Sequence, residues 1–356
     1  MLGLASPPPR AKSAEPPPHE KEVPKAREEI LDDSGAIDNA FPHAKEGAEA
    51  REEGHMVKPQ LIINADGYGL TAGTNRAIEE CIRFGTVRSV SVNVNFPEAE
   101  ETSPLIRRYP WLSVGCHLNP VVGRPVLPED RVRSLLGPDG EFWYRQFDRK
   151  FILGHIDLGE LRAELFAQVE RCRELSGENF THVDCHMAKH RLPRFYPLFL
   201  DASRFSRVHR VRTHKYLVVS GERGRLGSAV RYYLRHPYRL GVQAWNMWLR
   251  EKARHAGLSM PDRRVAVAPS RGCVSISLAA WTNLLRRLPS GLSEFVVHPG
   301  YGDAHLRRVS GYVGERDSER EILLSVAFKN ILDSTVRLSS YHDIPLKEQG
   351  GKPWLQ

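Results

Sequence analysis

The chain has 356 residues, 41% of them hydrophobic and 26% charged, which is enough apolar material to bury one large core or two modest ones. No run approaches the roughly 18 apolar residues of a membrane span, and no apolar signal-peptide stretch opens the chain, so we expect a cytoplasmic protein without a transmembrane segment. The five scattered cysteines form no Cys-x-x-Cys pair, and they predict neither a disulfide framework nor a zinc ribbon but buried thiols.

The net charge of +8 is unevenly distributed. Residues 1–55 carry 7 basic and 12 acidic side chains, a balance of −5 that leaves +13 for residues 56–356. A basic fold is compatible with nucleic acid, anionic lipid headgroups or an acidic glycan, and also with a merely solvated surface. Because no recognised nucleic-acid motif accompanies the charge, we predict no nucleic-acid partner.

The N-terminal region differs in composition from the rest. It holds two proline triplets, at 7–9 and 16–18, together with mixed charge and few large apolar side chains. Such a segment cannot bury enough apolar surface to offset the entropy of ordering. We therefore predict a disordered extension over 1–57, a folded domain over 58–345 and a C-terminal tail over 346–356.

From Leu61 onward, short apolar segments alternate with segments of helical period. Strands are predicted at 61–65, 87–94, 113–118, 181–185, 209–213, within 265–277, at 294–297 and at 336–338. Helices are predicted at 72–84, 98–109, 158–176, 194–205, 226–256, 278–288 and 318–332, and a loop rich in proline and glycine at 120–140. Seven or eight β-α units result.

This alternation predicts an α/β fold with a parallel sheet covered on both faces, either closed as a barrel or open and doubly wound. A doubly wound nucleotide fold requires a glycine-rich turn after its first strand. The turn here is Asp-Gly-Tyr-Gly at 66–69, and its acidic first residue is a poor neighbour for a pyrophosphate. We therefore favour the β/α barrel.

Polar residues follow four of the predicted strands. Asp66 and His117 stand at the ends of the first and third strands, and Asp184 and His186 at the end of the fourth. His298 comes directly after the strand predicted at 294–297. In a β/α barrel the carboxyl ends of the strands surround one active site, so these side chains should converge. Two imidazoles and a carboxylate form a common set for a divalent ion, and a further titratable group would supply an acid or base for hydrolysis.

Each of these residues also has a structural interpretation. Among 15 histidines, one taken alone is more often a surface or core residue, and we place His182, His190 and His214 in that class. Asp66 could instead cap the helix that begins near Thr71. The joint occurrence at strand ends favours the functional interpretation.

Four motifs in order resemble the YdjC family of carbohydrate deacetylases. They are Ile-Asn-Ala-Asp-Gly-Tyr-Gly-Leu-Thr at 63–71 with Asn75 and Arg76, Val-Gly-Cys-His-Leu-Asn at 114–119, Thr-His-Val-Asp-Cys-His at 181–186 and Val-His-Pro-Gly-Tyr at 297–301. The similarity runs from about Leu61 to Leu338 and includes 123–126 and 316–320.

The resemblance implies a distorted TIM-like barrel that holds one divalent ion, Mg²⁺ or Zn²⁺, and removes acetyl groups from N-acetylated sugars or oligosaccharides. It makes His117 and His186 metal ligands, Asp66 the general base, and His298 the acid for the leaving amine. A bound ion would polarise the amide, and these side chains would move the protons.

The sequence departs from the family at two places. The family's second aspartate, a metal ligand, is here Gly67, and the family's His-x-His-x-His cluster is reduced to His186 and His190 with Ala188 between them. Asp66 could then bind the metal itself, with Asp184 or water completing the set. The alternative function is a catalytically impaired, glycan-binding member of the family.

Basic and aromatic residues interleave over 231–239 and continue through Trp245, Trp248 and Arg250. Such a segment can stack on sugar rings or lie at a lipid interface, which would indicate a large, anionic or lipid-linked glycan. The alternative is an amphipathic helix packed on the barrel. We also keep a homodimer as an expectation that the sequence does not test.

Overall fold

Eight parallel strands form the centre of the structure, a computed structural model that describes residues 58–220, 238–268 and 275–346. The strands are β1 (Gln60–Tyr68), β2 (Ser89–Val92), β3 (Ser113–Leu118), β4 (Phe180–Cys185), β5 (Tyr216–Ser220), β6 (Arg263–Ala268), β7 (Leu292–Val297) and β8 (Arg337–Ser339). Their order is β4-β3-β2-β1-β7-β6-β5, and β8 pairs with the first residues of β1.

The segment just before β5 bridges the two ends of this strand order. Val183 of β4 donates its N–H to Arg210 O at 3.0 Å, and Val211 donates to Ser259 O at 2.9 Å, close to the start of β6. Parallel bridges therefore link β4 to this segment, and β5 then pairs with β6. The α/β fold is a distorted, TIM-like barrel, as predicted.

Ten helices are described, and they alternate with the strands. They are α1 (Ala72–Phe84), α2 (Thr102–Arg108), α3 (Phe147–Ile152), α4 (Leu158–Ser176), α5 (Tyr196–Phe205), α6 (Tyr238–His255), α7 (Leu278–Arg286), α8 (Leu306–Val309), α9 (Gly314–Leu323) and α10 (Val326–Thr335). Because helices cover the sheet, β1 is buried on both faces from Leu61 to Tyr68, as expected for a central parallel strand.

The cap of α1 decides one alternative for Asp66. Thr71 is the N-cap: its hydroxyl accepts from Thr74 N, and the Thr74 side chain in turn bonds the Thr71 backbone. Gly85 ends the helix in the left-handed conformation. Asp66 is thus not the cap of this helix.

The predicted strand at 209–213 is wrong as a regular element. Arg207 and His209 have positive φ angles of 63° and 51°, which interrupt the extended backbone, and only isolated bridges form at Arg210 and Val211. The regular strand, β5, begins later, at Tyr216. The predicted helix at 318–332 is likewise two helices, α9 and α10.

Several expectations concern residues that the structure does not describe. The extension over 1–57 and nearly all of the tail lie outside the described residues, as does 226–237 of the long predicted helix. The four described cysteines, Cys81, Cys116, Cys172 and Cys185, are buried and free, as predicted. Among the described helices, none has the length and apolar character needed to cross a membrane.

Candidate metal and catalytic site

The inner face of the barrel is polar where β1, β2 and β4 approach one another. Asn64 and Asp66 lie two residues apart on β1 and so share a face. The Asn64 amide donates to Asp66 Oδ1 at 2.7 Å and to Ser91 Oγ at 2.9 Å, and Ser91 donates to Asp184 Oδ2 at 2.9 Å. These hydrogen bonds fix both carboxylates before any ligand is present.

Arg212 connects three buried carboxylates. Its Nη1 donates to Asp66 Oδ2 at 2.8 Å and its Nη2 to Asp66 Oδ1 at 2.7 Å, a bidentate pair. Nη2 also lies 2.6 Å from Asp184 Oδ2, and Nε donates to Glu294 Oε1 at 2.9 Å. Burial raises the pKa of Asp66, but the charge of Arg212, followed by that of His117, holds this pKa well below its ordinary value. Asp66 is therefore an anion.

The second carboxylate of this group orients His117. Nδ1 of His117 lies 2.7 Å from Asp184 Oδ1, which assigns the ring proton to Nδ1. The other nitrogen, Nε2, lies 4.0 Å from Asp66 Oδ2. Burial lowers the pKa of His117, but the charges of Asp184 and Asp66 outweigh burial and raise it. A carboxylate that fixes one ring nitrogen while the other faces a second donor is the usual arrangement around a metal-binding histidine.

The residues present fit a divalent ion. One potential ligand atom from each of Asp66, His117 and Asp184 lies within 4.8 Å of the others, and all three residues are buried. Both oxygens of Asp184 already have partners, His117 on one side and Ser91 and Arg212 on the other. The contact with Nδ1 suits Asp184 to supporting His117. The donors that remain for an ion are His117 Nε2 and Asp66 Oδ2, which accepts one hydrogen bond, from Arg212 Nη1.

His186 lies immediately after β4 and faces His117. The two rings meet edge to face, with centroids 5.3 Å apart and an interplanar angle of 77°. Burial, followed by the charges of His117 and Arg316, lowers the pKa of His186 well below its ordinary value. A neutral imidazole keeps the lone pair that a metal requires. The chain leaves this position through Met187 and Ala188, both with a φ angle of 51°.

His298 lies immediately after β7 beside Glu319 of α9. Its N–H donates to Glu319 Oε2, and its Nδ1 is 4.0 Å from Oε1, which also accepts from the Tyr312 hydroxyl at 2.5 Å. Burial lowers the pKa of His298 to about 3 and raises that of Glu319 to about 7. The resting His298 side chain, 33% exposed, is therefore a neutral imidazole.

Gly67 stands where the family motif has its second aspartate. The register between β1 and β2 shifts between Asp66 and Tyr68, so Gly67 lies at a bulge, and its φ angle is +108°. Residues with a Cβ rarely adopt this conformation. The backbone of this chain is thus adapted to glycine at this position.

The structure brings the predicted residues to one end of the barrel, in the order in which the strands carry them. Asp66, His117 and Asp184 form the buried group, His186 packs on His117, and the positive charge of Arg316 acts on both His186 and His298. His182, expected to be a core residue, stacks on Tyr341 with ring centroids 3.7 Å apart and is buried.

Sequence reasoning did not identify Arg212, Glu294 or Glu319. Arg212 carried a usable signal, because it is a charged residue near the end of a segment predicted as a strand, as are Asp66 and His117. Glu294 lies within an apolar strand, and Glu319 lies on a helix that precedes β8, so neither stands at a strand end. Only the packing shows that they reach the site.

Only part of the basic and aromatic segment lies among the described residues. Positions 231–237 lie outside the described residues. On α6, Leu249 and Ala253 are buried, while Trp248 is 45% exposed and stacks on Trp245 at 4.7 Å. The Trp245 indole donates to Arg191 O at 3.0 Å. The described part is thus an amphipathic helix packed on the barrel, with an aromatic pair near its outer face.

Comparisons with known proteins extend over most of the chain. A family model described as YdjC-like protein matches residues 60–334. A carbohydrate deacetylase of Thermoanaerobacter pseudethanolicus is 27% identical over 282 residues, covering 79% of this chain and 97% of that protein. A carbohydrate deacetylase of Mus musculus is 33% identical over 256 residues, covering 68% and 78%.

A shorter match and a solved structure agree with these. A chitooligosaccharide deacetylase of Yersinia pestis is 34% identical over 138 residues, 39% of this chain and 53% of that protein. The crystal structure of an Enterococcus faecalis protein, proposed to cleave cellobiose phosphate, has a TM-score of 0.59 and 24% identity over 80% of this chain and 98% of that one, which supports the fold alone. The chain belongs to the YdjC-like family.

Proposed function

We propose that this protein is a metal-dependent hydrolase that removes acetyl groups from N-acetylated sugars or oligosaccharides. The observation that carries the proposal is the buried group of Asp66, His117 and Asp184 at the carboxyl ends of three barrel strands. The group occurs in a member of a family whose relatives include named carbohydrate deacetylases. The amide of an N-acetylated sugar is the bond that such relatives would hydrolyse.

We assign the ion to Asp66 and His117 of this group and to His186, which is not part of the group but packs on His117. Two imidazoles and one carboxylate are ligand types that suit Zn²⁺, whereas Mg²⁺ prefers oxygen donors. When bound, the ion would supply Lewis-acid polarisation of the amide carbonyl and of the attacking water. Asp184 would hold His117 in the required tautomer through the 2.7 Å contact between Oδ1 and Nδ1.

The contacts of Asp66 favour a ligand role over the role of general base. Both of its oxygens accept from Arg212, and the charge of Arg212 keeps the pKa of Asp66 low. A carboxylate whose two oxygens are held by one guanidinium is poorly placed to take a proton from water, whereas it can still share a lone pair with an ion. Of the two roles expected of Asp66 from its sequence position, that of metal ligand is therefore favoured.

His298 is then the residue that we assign to proton transfer. Its neutral ring can accept a proton as the water oxygen bonds to the amide carbon, and it can return that proton to the nitrogen as the C–N bond breaks. The products are acetate and the free amino sugar. Glu319, 4.0 Å from Nδ1, is placed to orient the ring during this transfer.

Acetate release from N-acetylated chitooligosaccharides tests the proposal. We expect release that stops with EDTA, returns with Zn²⁺ or Mg²⁺, and falls by more than about 10³-fold in His117→Ala. A matched surface control is His255→Ala on α6, whose side chain is 76% exposed and pairs only with Glu251 among the described residues. Absence of acetate release across sugars and metals would refute the proposal.

Gly67 keeps a second candidate open, a family member that binds glycan without turnover. The observation in its favour is that position 67, directly after Asp66 in the chain, carries no carboxylate, since it is a glycine at a φ angle of +108°. Calorimetric titration with the same oligosaccharides distinguishes the two. Binding without acetate release supports the second candidate, and binding with release supports the first.

A further inference from the structure

The side chain of Arg316 lies in a slot between two glycines. A Cβ at Gly300 would lie 3.0 Å from Arg316 Cδ, and a Cβ at Gly67 would lie 3.0 Å from Arg316 Nη1. Gly300 is the glycine of the His-Pro-Gly motif, and its N–H donates to Arg316 O at 3.3 Å. The two glycines thus give room to the stem and to the guanidinium of one arginine.

The guanidinium has weak partners for a buried cation. Arg316 is 3% exposed, and its Nε donates to Tyr312 O at 2.9 Å and its Nη1 to His298 O at 3.5 Å. Among the described residues, no carboxylate lies within 4.0 Å of it. Burying a charge without an ionic partner is costly, and such a charge is retained where a ligand supplies the partner.

The nearest described carboxyl group on the same helix does not fill this role. Glu319 accepts from His298 N and from the Tyr312 hydroxyl and does not approach Arg316 within 4.0 Å, although its charge opposes the effect of burial on the pKa of Arg316. The Arg316 charge is nevertheless close to the proposed reaction centre. Burial and the charge of His117 lower the pKa of His186 most, and the charge of Arg316 lowers it further. Burial also lowers the pKa of His298, where the charge of Asp66 raises it and that of Arg316 lowers it.

We infer that Arg316 binds the carbonyl oxygen of the acyl group and stabilises the negative charge that develops there, and that Gly67 gives the guanidinium the space to do so. The inference rests on the proposed function. As the water oxygen bonds to the carbonyl carbon, the π electrons of the C=O bond move to the oxygen, where Arg316 N–H groups donate. When the C–N bond breaks, the carbonyl re-forms in acetate.

The proposed role of Arg316 also assigns a role to Gly67. A Cβ there would lie 3.0 Å from Arg316 Nη1 and 3.3 Å from Leu70 Cδ1, so the guanidinium would have to shift by a few tenths of an ångström. Where the family motif has a carboxylate, this chain has a glycine, and the Arg316 guanidinium lies against it.

Kinetics of Arg316 variants on N-acetylated chitooligosaccharides provide the first test. We expect kcat to fall about 10²- to 10³-fold in Arg316→Lys and Arg316→Gln, with KM changed by no more than about 3-fold, because the interaction strengthens only in the transition state. Guanidinium chloride at non-denaturing concentration should restore at least about tenfold of the kcat of Arg316→Ala. Sodium chloride at the same concentration is the control and should restore none.

Gly67→Ala tests the space for the guanidinium with Arg316 intact. Its matched control is Gly257→Ala, because Gly257 also has a positive φ angle, +78°, and a Cβ there meets nothing within 4 Å. Both variants place a Cβ at a positive φ angle and therefore carry backbone strain. We expect kcat to fall at least about tenfold in Gly67→Ala and to stay near that of the wild type in Gly257→Ala.

Acetate binding separates this inference from the proposed function. Acetate, followed by NMR titration of the protein, should bind at least about tenfold more weakly to Arg316→Gln and to Gly67→Ala than to the wild type. Turnover by the wild type with kcat unchanged in the Arg316 variants would overturn the inference and leave the proposed function standing. If the wild type shows no turnover but binds acetate in a way that depends on Arg316, the proposed function is refuted and the binding role of Arg316 is supported. Acetate binding that does not depend on Arg316 would overturn the inference.

Discussion

Arg212 and Arg316 are both buried guanidinium groups near Asp66, yet their surroundings differ. Arg212 bonds the carboxylates of Asp66, Asp184 and Glu294, and these charges raise its pKa well above the ordinary value. Arg316 bonds two backbone carbonyls, and burial lowers its pKa. Arginine remains protonated in both cases.

The difference shows that the partners of a buried charge, more than its burial, indicate its role. Arg212 directs four of its five N–H donors to carboxylates, so it holds those carboxylates in place and has little donor capacity left for a substrate. Among the described residues, Arg316 donates only to two backbone carbonyls and lies beside the Tyr312 ring, so it keeps donors for a ligand. We therefore interpret Arg212 as a positioning residue and Arg316 as a binding residue.

The largest expected effect compares Arg212→Met with Arg316→Met. Arg212→Met leaves three buried carboxylates without a cation and should lower the free energy of unfolding by about 3–5 kcal/mol. Arg316→Met removes a cation that has no ionic partner among the described residues and should change it by less than about 1 kcal/mol. Urea denaturation at pH 7 measures both, and equal losses would contradict the comparison.

A smaller effect concerns Glu319, the carboxyl group beside His298 and on the same helix as Arg316. Burial raises its pKa to about 7, above the value of about 4.3 in an unfolded chain, so between these pH values the folded state holds a proton that the unfolded state has lost. This contribution to stability is fully present below about pH 4 and is lost as pH rises from there through 7, by at most about 4 kcal/mol.

Glu319→Gln should remove that pH dependence. The groups that face Glu319 are His298, Tyr312 and Arg316, and none of them is changed in the variant. Urea denaturation from pH 5 to pH 8 should therefore show a flatter stability profile for Glu319→Gln than for the wild type. Parallel profiles would indicate that Glu319 is ionised throughout and available to neutralise Arg316.

Asp184→Asn is expected to have the smallest effect. It tests whether a carboxylate that Arg212 holds in place supports a metal site. Loss of the charge that orients His117 should weaken Zn²⁺ binding about 10- to 100-fold, measured by competition with a chromophoric chelator. The control is Asp333→Asn, since Asp333 is 54% exposed and pairs with Lys329. Unchanged affinity in Asp184→Asn would show that Asp184 does not support a metal site.

The sequence predicted the barrel because alternating apolar strands and helical segments are local patterns. Asp66, His117, His186 and His298 were identifiable since each stands at or just after the end of a predicted strand. The error at 209–213 has a local cause too, because positive φ angles at Arg207 and His209 have no sequence signature in residues other than glycine.

The tertiary structure alone decided what surrounds these residues. Arg212 and Asp66 are 146 residues apart in the chain, and Gly67 and Arg316 come together only because β1 and α9 pack at the same end of the barrel. Sequence patterns report which face of an element is buried, and they do not report which buried charges meet. For this reason the sequence by itself determined the candidate ligands at the strand ends. Only packing determined that one arginine directs most of its donors to carboxylates and that the other, among the described residues, donates only to backbone carbonyls.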